Sequence, residues 1–513
     1  MKIRTLTSLP AAIILATFAF LPSARPAAAK PPVPAGSPEA TPAGSPAPAP
    51  AARPPVVRVN STNQPFDFAK PWDKKQPFLR RGTGAVIEGA KVLVTAELVA
   101  DHTYIELESA DGELKSPATI AAIDYDANLA LLVPTEEKFL AGSQMLAPAT
   151  GARVGTRAEI LQIESNGDIL RTPATLTTIS VAPYPMESIA LVTYRLTTAL
   201  QTRDNSFVLP AIDGDGLLGL LMRYDSRTQS ADLVPAPVIS RFLENAASGA
   251  RFPRAGLGFA STRDPQFRNY IGLANGDGGV YVTMIQPGSA AESAGLREGD
   301  VILSADGHKL DSEGLYDDAA LGKISFTHLV SMGGGKPITL EILRGGARFP
   351  LELTPAPTDP DKIVSAPYLF DKGPGYYVLG GLVFQELNRT YLQQWGGNWR
   401  KAAPQRLVFL DAFQDEAPGG PGPRKIVFLS SVLPSPDTIG YEDLESLVVT
   451  KLNGRPVHSL AELAEAAKSP VNGFHKIEIE EDPRAIYLDA ASVSANQDPL
   501  AKHYGLPALE RLP

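Results

Sequence analysis

Between residues 82 and 250, short apolar stretches alternate with polar breaks that contain Gly, Pro and Asp. Few stretches in this region have the apolar spacing of an amphipathic helix. Regularly spaced short apolar segments of this kind are typical of antiparallel β-strands joined by tight turns. The pattern therefore predicts many short strands, folded as barrels or as a sandwich.

After residue 255 the pattern predicts helices mixed with strands. A short helix is predicted at Ala290–Ala294, because Gly295 is a natural residue for the end of a helix. A buried strand is predicted at Val301–Ser304. Residues 459–468 begin with a capping serine and place Leu460, Leu463 and Ala467 on one face, which predicts an amphipathic helix. The second half of the chain is therefore expected to be α+β.

The first 29 residues have the pattern of a secretory signal peptide. Lys2 and Arg4 precede an apolar run at residues 11–21, and small residues follow at Ala27–Ala29. The run is shorter than the ~20 apolar residues of a membrane-spanning helix, and no other stretch approaches that length. We therefore expect cleavage after Ala29, no membrane span, and a periplasmic or secreted protein.

A low-complexity segment and the length of the remaining chain indicate the domain organisation. Residues 30–55 are almost wholly Pro, Ala, Gly and Ser, which predicts an extended linker without a core. The remaining length suggests three domains, at 56–250, 251–360 and 361–513.

Net charge limits the classes of partner. Loss of residues 1–29 removes three basic residues and no acid, which moves the formal charge from -9 to -12. So acidic a chain is a poor candidate for binding nucleic acid or anionic membranes.

Cofactor and metal sites are not indicated by the residue types. Cysteine is absent, so neither disulfides nor thiolate metal sites can form. The six histidines are scattered, with no pair at metal-ligand spacing. We therefore expect no metal and no organic cofactor.

Three motifs follow one another in the first domain. They are GTGAVI with VLVTAELV (residues 82–87 and 92–99), DYDANLALL (124–132) and DNSFV (204–208), the last followed by a predicted hairpin. Together they resemble the motifs of the Deg/HtrA (Do-like) serine proteases. The resemblance implies a mainly β fold, a chymotrypsin-like double β-barrel followed by two PDZ-type α+β domains. It also implies a catalytic triad, but Glu97 stands at the histidine position and Asn128 at the aspartate position. Only Ser206, at the nucleophile position, is retained.

The residues at these positions argue against catalysis. A serine hydroxyl needs a neighbouring base near neutral pKa, and Glu97 is a weak base for that step. Asp204, Phe207 and Val208 replace glycines that shape the oxyanion hole of the family. We therefore expect a pseudoprotease in which Ser206 is a plain loop serine. The alternative is an active serine endopeptidase that uses Ser206 with a non-standard base.

Two histidines are candidates for a role in catalysis or binding. His102 lies five residues beyond Glu97 and could be a displaced base, but a solvated loop histidine is the simpler interpretation. His328 could line a binding groove, but a lone histidine there is more often a packing residue.

A second set of motifs resembles a Deg/HtrA-type PDZ domain. It consists of GLGF (residues 256–259) and AGLREGDVIL (294–303). In such domains the backbone N–H groups of the first loop hold a peptide's C-terminal carboxylate, and the peptide adds a strand. The resemblance assigns this role to Leu257, Gly258 and Phe259. The alternative is that these residues only shape a turn.

The region 372–490 resembles the larger C-terminal PDZ-like domain of plant and fungal Deg proteases. GGLVF (residues 380–384) repeats the loop pattern, and the insert Arg389–Lys401 carries Trp395 and Trp399. The sequence leaves open whether its groove is free or occupied by the insert.

These observations predict an exported protein that binds unfolded or C-terminal segments of other proteins in quality control. Four large aromatics lie just before the barrel, and leaving them in water is costly. Their burial at a three-fold contact, as the family resemblance implies, predicts a homotrimer. The alternative is that they fold back onto their own barrel. The four residues are Phe66, Phe68, Trp72 and Phe78.

Overall fold

A computed structural model describes residues 52–186, 189–201, 208–274, 276–358, 363–414 and 424–513. The predicted signal peptide and most of the predicted linker lie outside these ranges. The fold is mainly β, as predicted, and both barrels and PDZ-type domains are present. Within the described ranges, none of the helices is long and apolar enough to span a bilayer.

The first six strands close into a barrel in the order β1-β2-β3-β6-β5-β4. Inward side chains such as Val59, Leu93 and Leu107 are fully buried. A four-residue helix, α1, follows β3 directly. The elements are β1 (Val56–Asn63), β2 (Phe78–Ile87), β3 (Lys91–Val94), α1 (Ala96–Val99), β4 (His102–Glu108), β5 (Lys115–Asp124) and β6 (Leu129–Pro134).

The next seven strands form a second sheet in the order β11-β8-β9-β10-β13-β12-β7. Six of them close into a ring, because β11 also pairs with β12, and β7 pairs with β12 outside the ring. The predicted hairpin forms at Asp213–Gly216. The elements are β7 (Ala147–Pro148), β8 (Arg157–Ile163), β9 (Ile169–Pro183), β10 (Ala190–Thr197), β11 (Pro210–Asp213), β12 (Gly216–Asp225), β13 (Ser230–Pro235) and α2 (Ala236–Ser248).

The first PDZ-type domain is a sheet in the order β14-β15-β16-β20-β21. The helix predicted at Ala290–Ala294 is present and ends at Gly295, which has a φ of 83°. Buried residues of this domain and of both barrels form one contiguous core. Its elements are β14 (Leu257–Ser261), α3 (Pro265–Tyr270), β15 (Val280–Ile285), α4 (Ala290–Ala294), β16 (Val301–Ala305), β17 (His308–Lys309), β18 (Leu315–Asp318), β19 (Gly322–Ser325), α5 (Thr327–Met332), β20 (Ile338–Arg344) and β21 (Ala347–Leu353).

The second PDZ-type domain is a sheet in the order β28-β27-β25-β24-β23-β22-β29. The predicted amphipathic helix is α9, and the Ser459 hydroxyl caps it by accepting from the Glu462 N–H. The elements are β22 (Tyr376–Leu379), β23 (Leu382–Glu386), α6 (Arg389–Leu392), a 3-10 turn (Gln393–Trp395), α7 (Trp399–Ala402), α8 (Gln405–Ala412), β24 (Val427–Val432), β25 (Leu447–Leu452), β26 (Arg455–Pro456), α9 (Leu460–Ala467), β27 (Phe474–Ile479), β28 (Ala485–Asp489), α10 (Ala490–Tyr504) and β29 (Glu510–Arg511).

The aromatic segment, residues 63–80, packs on the second PDZ-type domain of the same chain. The prediction that it precedes the barrel is wrong, because it connects β1 to β2, two adjacent barrel strands. Phe68 is 3% exposed and Trp72 is 8% exposed. The Trp72 ring meets Tyr376 edge-on at 5.9 Å, and Gln385 Nε2 donates to the Phe68 carbonyl at 2.9 Å. The alternative, that the aromatics fold back onto their own barrel, is therefore wrong for these two side chains. Their burial also removes the physical argument for the homotrimer, which stays a prediction.

Candidate functional site

The structure brings the two predicted triad positions of the first barrel together. Glu97 lies in the first turn of α1, and Asn128 precedes β6 with a left-handed φ of 52°. Asn128 Nδ2 donates to Glu97 Oε2 at 3.1 Å, and the Glu97 N–H donates to Asn128 Oδ1 at 3.0 Å. The two residues therefore form a reciprocal pair, in which the amide satisfies both the side chain and the backbone of the glutamate.

Burial and nearby cations have opposite effects on the pKa of Glu97. Burial raises the pKa of Glu97, while the Asn128 hydrogen bond and the cations Arg80 and Arg223 oppose that rise. The Arg80 guanidinium donates to the Glu97 carbonyl, and burial lowers the pKa of Arg80. Asn128 itself is fully buried. The site therefore holds a carboxylate in a desolvated position where a triad would hold an imidazole.

Ser206 and its neighbours Asp204 and Phe207 lie outside the described residues. The chain is described again from Val208, whose carbonyl accepts a hydrogen bond from the Thr83 N–H at 2.9 Å. A Cβ added to Gly82 would lie 3.1 Å from Leu98 and 3.3 Å from Val208. Val208, which ends the DNSFV motif, is therefore hydrogen-bonded to β2. This strand lies beside α1, the helix that carries Glu97.

His102 has a structural contact. It begins β4, is half-buried, and its Nδ1–H donates to the Val99 carbonyl at 3.1 Å at the end of α1. The predicted solvated loop histidine is therefore a half-buried strand residue in the structure.

The predicted peptide-binding residues lie on the first PDZ-type domain's end strand. Leu257, Gly258 and Phe259 belong to β14, whose only strand partner in the described sheet is β15. The preceding Gly256 has a φ of 74°, and a Cβ there would lie 2.3 Å from Ser289 Cβ. Glycine is therefore required at this turn, and it leaves one edge of β14 available for a further strand.

Helix α5 faces this strand. The Phe259 ring lies 5.3 Å from Phe326, the residue just before α5. His328 on α5 is half-buried, and its Nδ1 has no hydrogen-bond partner among the described residues. Burial lowers its pKa, against an opposing effect of Asp318. These features favour the packing role predicted for His328.

Comparison with known proteins agrees with this architecture. Two stretches match the family description PDZ domain, at residues 249–317 and 366–510. Protease Do-like 2, chloroplastic, of Arabidopsis thaliana is 26% identical over 465 residues, which are 88% of this chain and 74% of that protein. Putative protease Do-like 12, mitochondrial, of the same plant is 25% identical over 87% of this chain and 85% of its own. The chain is a homologue of the Deg/HtrA (Do-like) proteases over most of its length and carries two PDZ domains.

A solved HtrA structure is similar to part of this Deg/HtrA homologue. HtrA-type protease AlgW with decapeptide superposes with a TM-score of 0.45 at 16% identity, over 60% of this chain and 97% of that one.

The second PDZ domain of this Deg/HtrA homologue has a different edge. Gly380 and Gly381, with φ of 61° and 108°, close a two-residue hairpin that pairs β22 with β23. C-terminal strand β29 then pairs with β22. The insert Arg389–Lys401 forms α6, a 3-10 turn and part of α7, and packs with Phe68. The chain's own strands, and not the insert, therefore occupy the edge of β23.

Sequence analysis missed a contact between the domains of this Deg/HtrA homologue. Arg254, two residues before the PDZ loop, pairs with Asp126 at 2.5 Å, and Tyr368 Oη donates to Asp126 Oδ1 at 3.1 Å. Asp126 lies two residues before Asn128. The only signal was the acidic run Asp124-Tyr125-Asp126, which could equally have been a solvated turn.

The described residues contain no cluster of side chains that could hold a metal ion.

Proposed function

We propose that this Deg/HtrA homologue is an exported pseudoprotease that binds unfolded or C-terminal segments of other proteins in quality control. The observation that supports loss of catalysis is the reciprocal pair of Glu97 and Asn128. Binding is assigned to the first PDZ domain, through Leu257, Gly258 and Phe259.

The Glu97–Asn128 pair lacks two functions of a triad. A carboxylate is a weak base for removing the proton of a serine hydroxyl. Its pKa is also poorly matched to the next step, in which a general acid protonates the leaving amine. Asn128 has no charge with which to stabilise a cationic base. Loss of single triad members costs roughly 10⁴ to 10⁶ in rate, and two are replaced here. We therefore expect peptide hydrolysis to be undetectable.

The competing function is a serine endopeptidase with Glu97 as its base. One observation favours it: burial raises the pKa of Glu97 towards the range in which a general base is useful. Arg80 and Asn128 oppose it, because both stabilise the charged, weakly basic form. The names of the relatives also contain the word protease.

Incubation with unfolded casein and with a fluorophosphonate probe separates these two functions. We expect neither casein cleavage nor labelling, with Ser206→Ala as the matched control. Cleavage that disappears in a folded Ser206→Ala variant would refute the pseudoprotease and support the endopeptidase.

Peptide capture is tested on the intact chain, because the first PDZ domain shares its core with the barrels. Peptides with a free, apolar C-terminus should bind at micromolar strength or weaker, and their amidated forms should bind more weakly. Gly256→Val should abolish binding, because its Cβ would collide with Ser289. Equal binding of free and amidated peptides would exclude carboxylate recognition.

Export to the periplasm or the medium is part of the same proposal. It rests on the signal-peptide pattern of residues 1–29. Mass spectrometry of the exported protein should find an N-terminus at Lys30. Retention of the intact leader in the cytoplasm would contradict it.

A further inference from the structure

A pocket of about 160 Å³ lies where the aromatic segment, residues 63–80, meets the start of the second PDZ domain. Four parts of the chain contribute to its wall: this segment, the turn after α1, residues 369–372 before β22, and α6 with the 3-10 turn that follows it. It lies on other residues than the loop at Gly256 and is therefore separate from the first PDZ domain's edge.

Aromatic rings form one part of the wall. Phe66, Phe68, Phe78 and Phe370 all line the pocket. A protein cavity of ~150 Å³ lined by apolar side chains accommodates benzene. The pocket therefore has room for one phenyl ring or a branched aliphatic group.

Cations form the other part of the wall. Lys75, Arg80 and Lys372 line the pocket, against one carboxylate, Asp101. The Asp101 carboxylate already accepts the Asp371 N–H at 2.8 Å. The Lys372 side chain is on an exposed residue and has no hydrogen-bond or ion-pair partner among the described residues. This positive lining stands out on a chain whose formal charge is -9.

These two halves select a ligand chemistry. The cations disfavour an ammonium group and favour an anion, while the rings favour an apolar group of phenyl size. We propose that the pocket is a second ligand site, for an apolar group that carries a carboxylate. Such a group comes either from a small aromatic acid or from the C-terminal residue of a polypeptide. The site depends neither on an inactive triad nor on peptide capture by the first PDZ domain.

The first test measures binding of 3-phenylpropionate and of its amide to the intact chain by ligand-observed NMR or calorimetry. The acid should bind with a dissociation constant of about 1 mM or tighter, and at least tenfold more tightly than the amide. Ala100→Leu, which fills the wall, and Lys372→Glu, which reverses its charge, should each weaken binding at least tenfold. Lys70→Glu is the matched control, since Lys70 is exposed on the same segment outside the pocket.

The second test separates the two ligand sources and the two sites. In the Gly256→Val background, binding of a hexapeptide that ends in free phenylalanine would identify chain ends as ligands. Binding of the small acid alone would identify free aromatic acids, and both results support the pocket. Equal binding of acid and amide, or binding unchanged in both pocket variants, would overturn the proposal. Loss of the small acid in Gly256→Val would assign it to the first PDZ domain and also overturn the pocket.

Discussion

Replacement of Phe68 by alanine tests whether the aromatic segment is part of the second PDZ domain. The Phe68 side chain is 3% exposed and belongs to a buried cluster that includes Leu387, Leu392 and Phe428 of the second PDZ domain. Truncation of a buried phenylalanine removes its apolar surface from the core and leaves a cavity, which costs about 3–5 kcal/mol. We expect the second PDZ domain to lose that much stability, although Phe68 lies more than 300 residues earlier in the chain.

The assay is urea unfolding followed by tryptophan fluorescence. The three tryptophans are Trp72, Trp395 and Trp399, and all of them lie in this domain or against it. Their fluorescence therefore reports this domain and not the barrels. With a slope of about 2 kcal/mol per molar urea, the midpoint should fall by about 2 M. The shift should not depend on protein concentration, because the contact is within one chain.

Phe78→Ala is the matched control, because Phe78 lies on the same segment and is 43% exposed. Exposed substitutions usually change stability by less than about 0.5 kcal/mol. A midpoint shift for Phe68→Ala no larger than that for Phe78→Ala would refute the docking. A shift that grew on dilution would show instead that Phe68 stabilises an oligomer.

Arg254→Ala should cost about 3–5 kcal/mol, because Asp126, 5% exposed, loses its ion-pair partner; thermal unfolding should show a smaller loss when Asp126→Asn is added. Glu97→Gln should stabilise the barrel more at pH 8 than at pH 4, as measured by unfolding followed by circular dichroism. Burial raises the pKa of Glu97 in the folded protein above its unfolded value of about 4.3. The stability of the wild type therefore declines as the pH rises from about 4.3 through the pKa of the folded state. A pH-independent difference would contradict this reasoning. Light scattering should give three times the chain mass if the homotrimer forms, and a single chain mass at tens of micromolar would end that prediction.

Local features of this protein were predictable because each depends on residues that are neighbours in sequence. The end of α4 at Gly295, the capped helix α9 and the hairpin at Asp213–Gly216 follow from turn and cap chemistry that acts over a few residues. The family resemblance also marked Glu97 and Asn128, which the fold then joins by hydrogen bonds.

What covers an aromatic side chain or a strand edge was decided only by tertiary structure. The Gln385 side chain binds the Phe68 carbonyl across 317 residues, and β29 reaches β22 from the end of the chain. The Asp126 carboxylate likewise meets Arg254 and Tyr368 from two later segments. An apolar or charged residue carries the need for a partner in its own chemistry, but burial is non-directional and any suitable surface satisfies it. Which surface covers a given residue depends on how whole domains pack, and a local sequence pattern does not predict that packing.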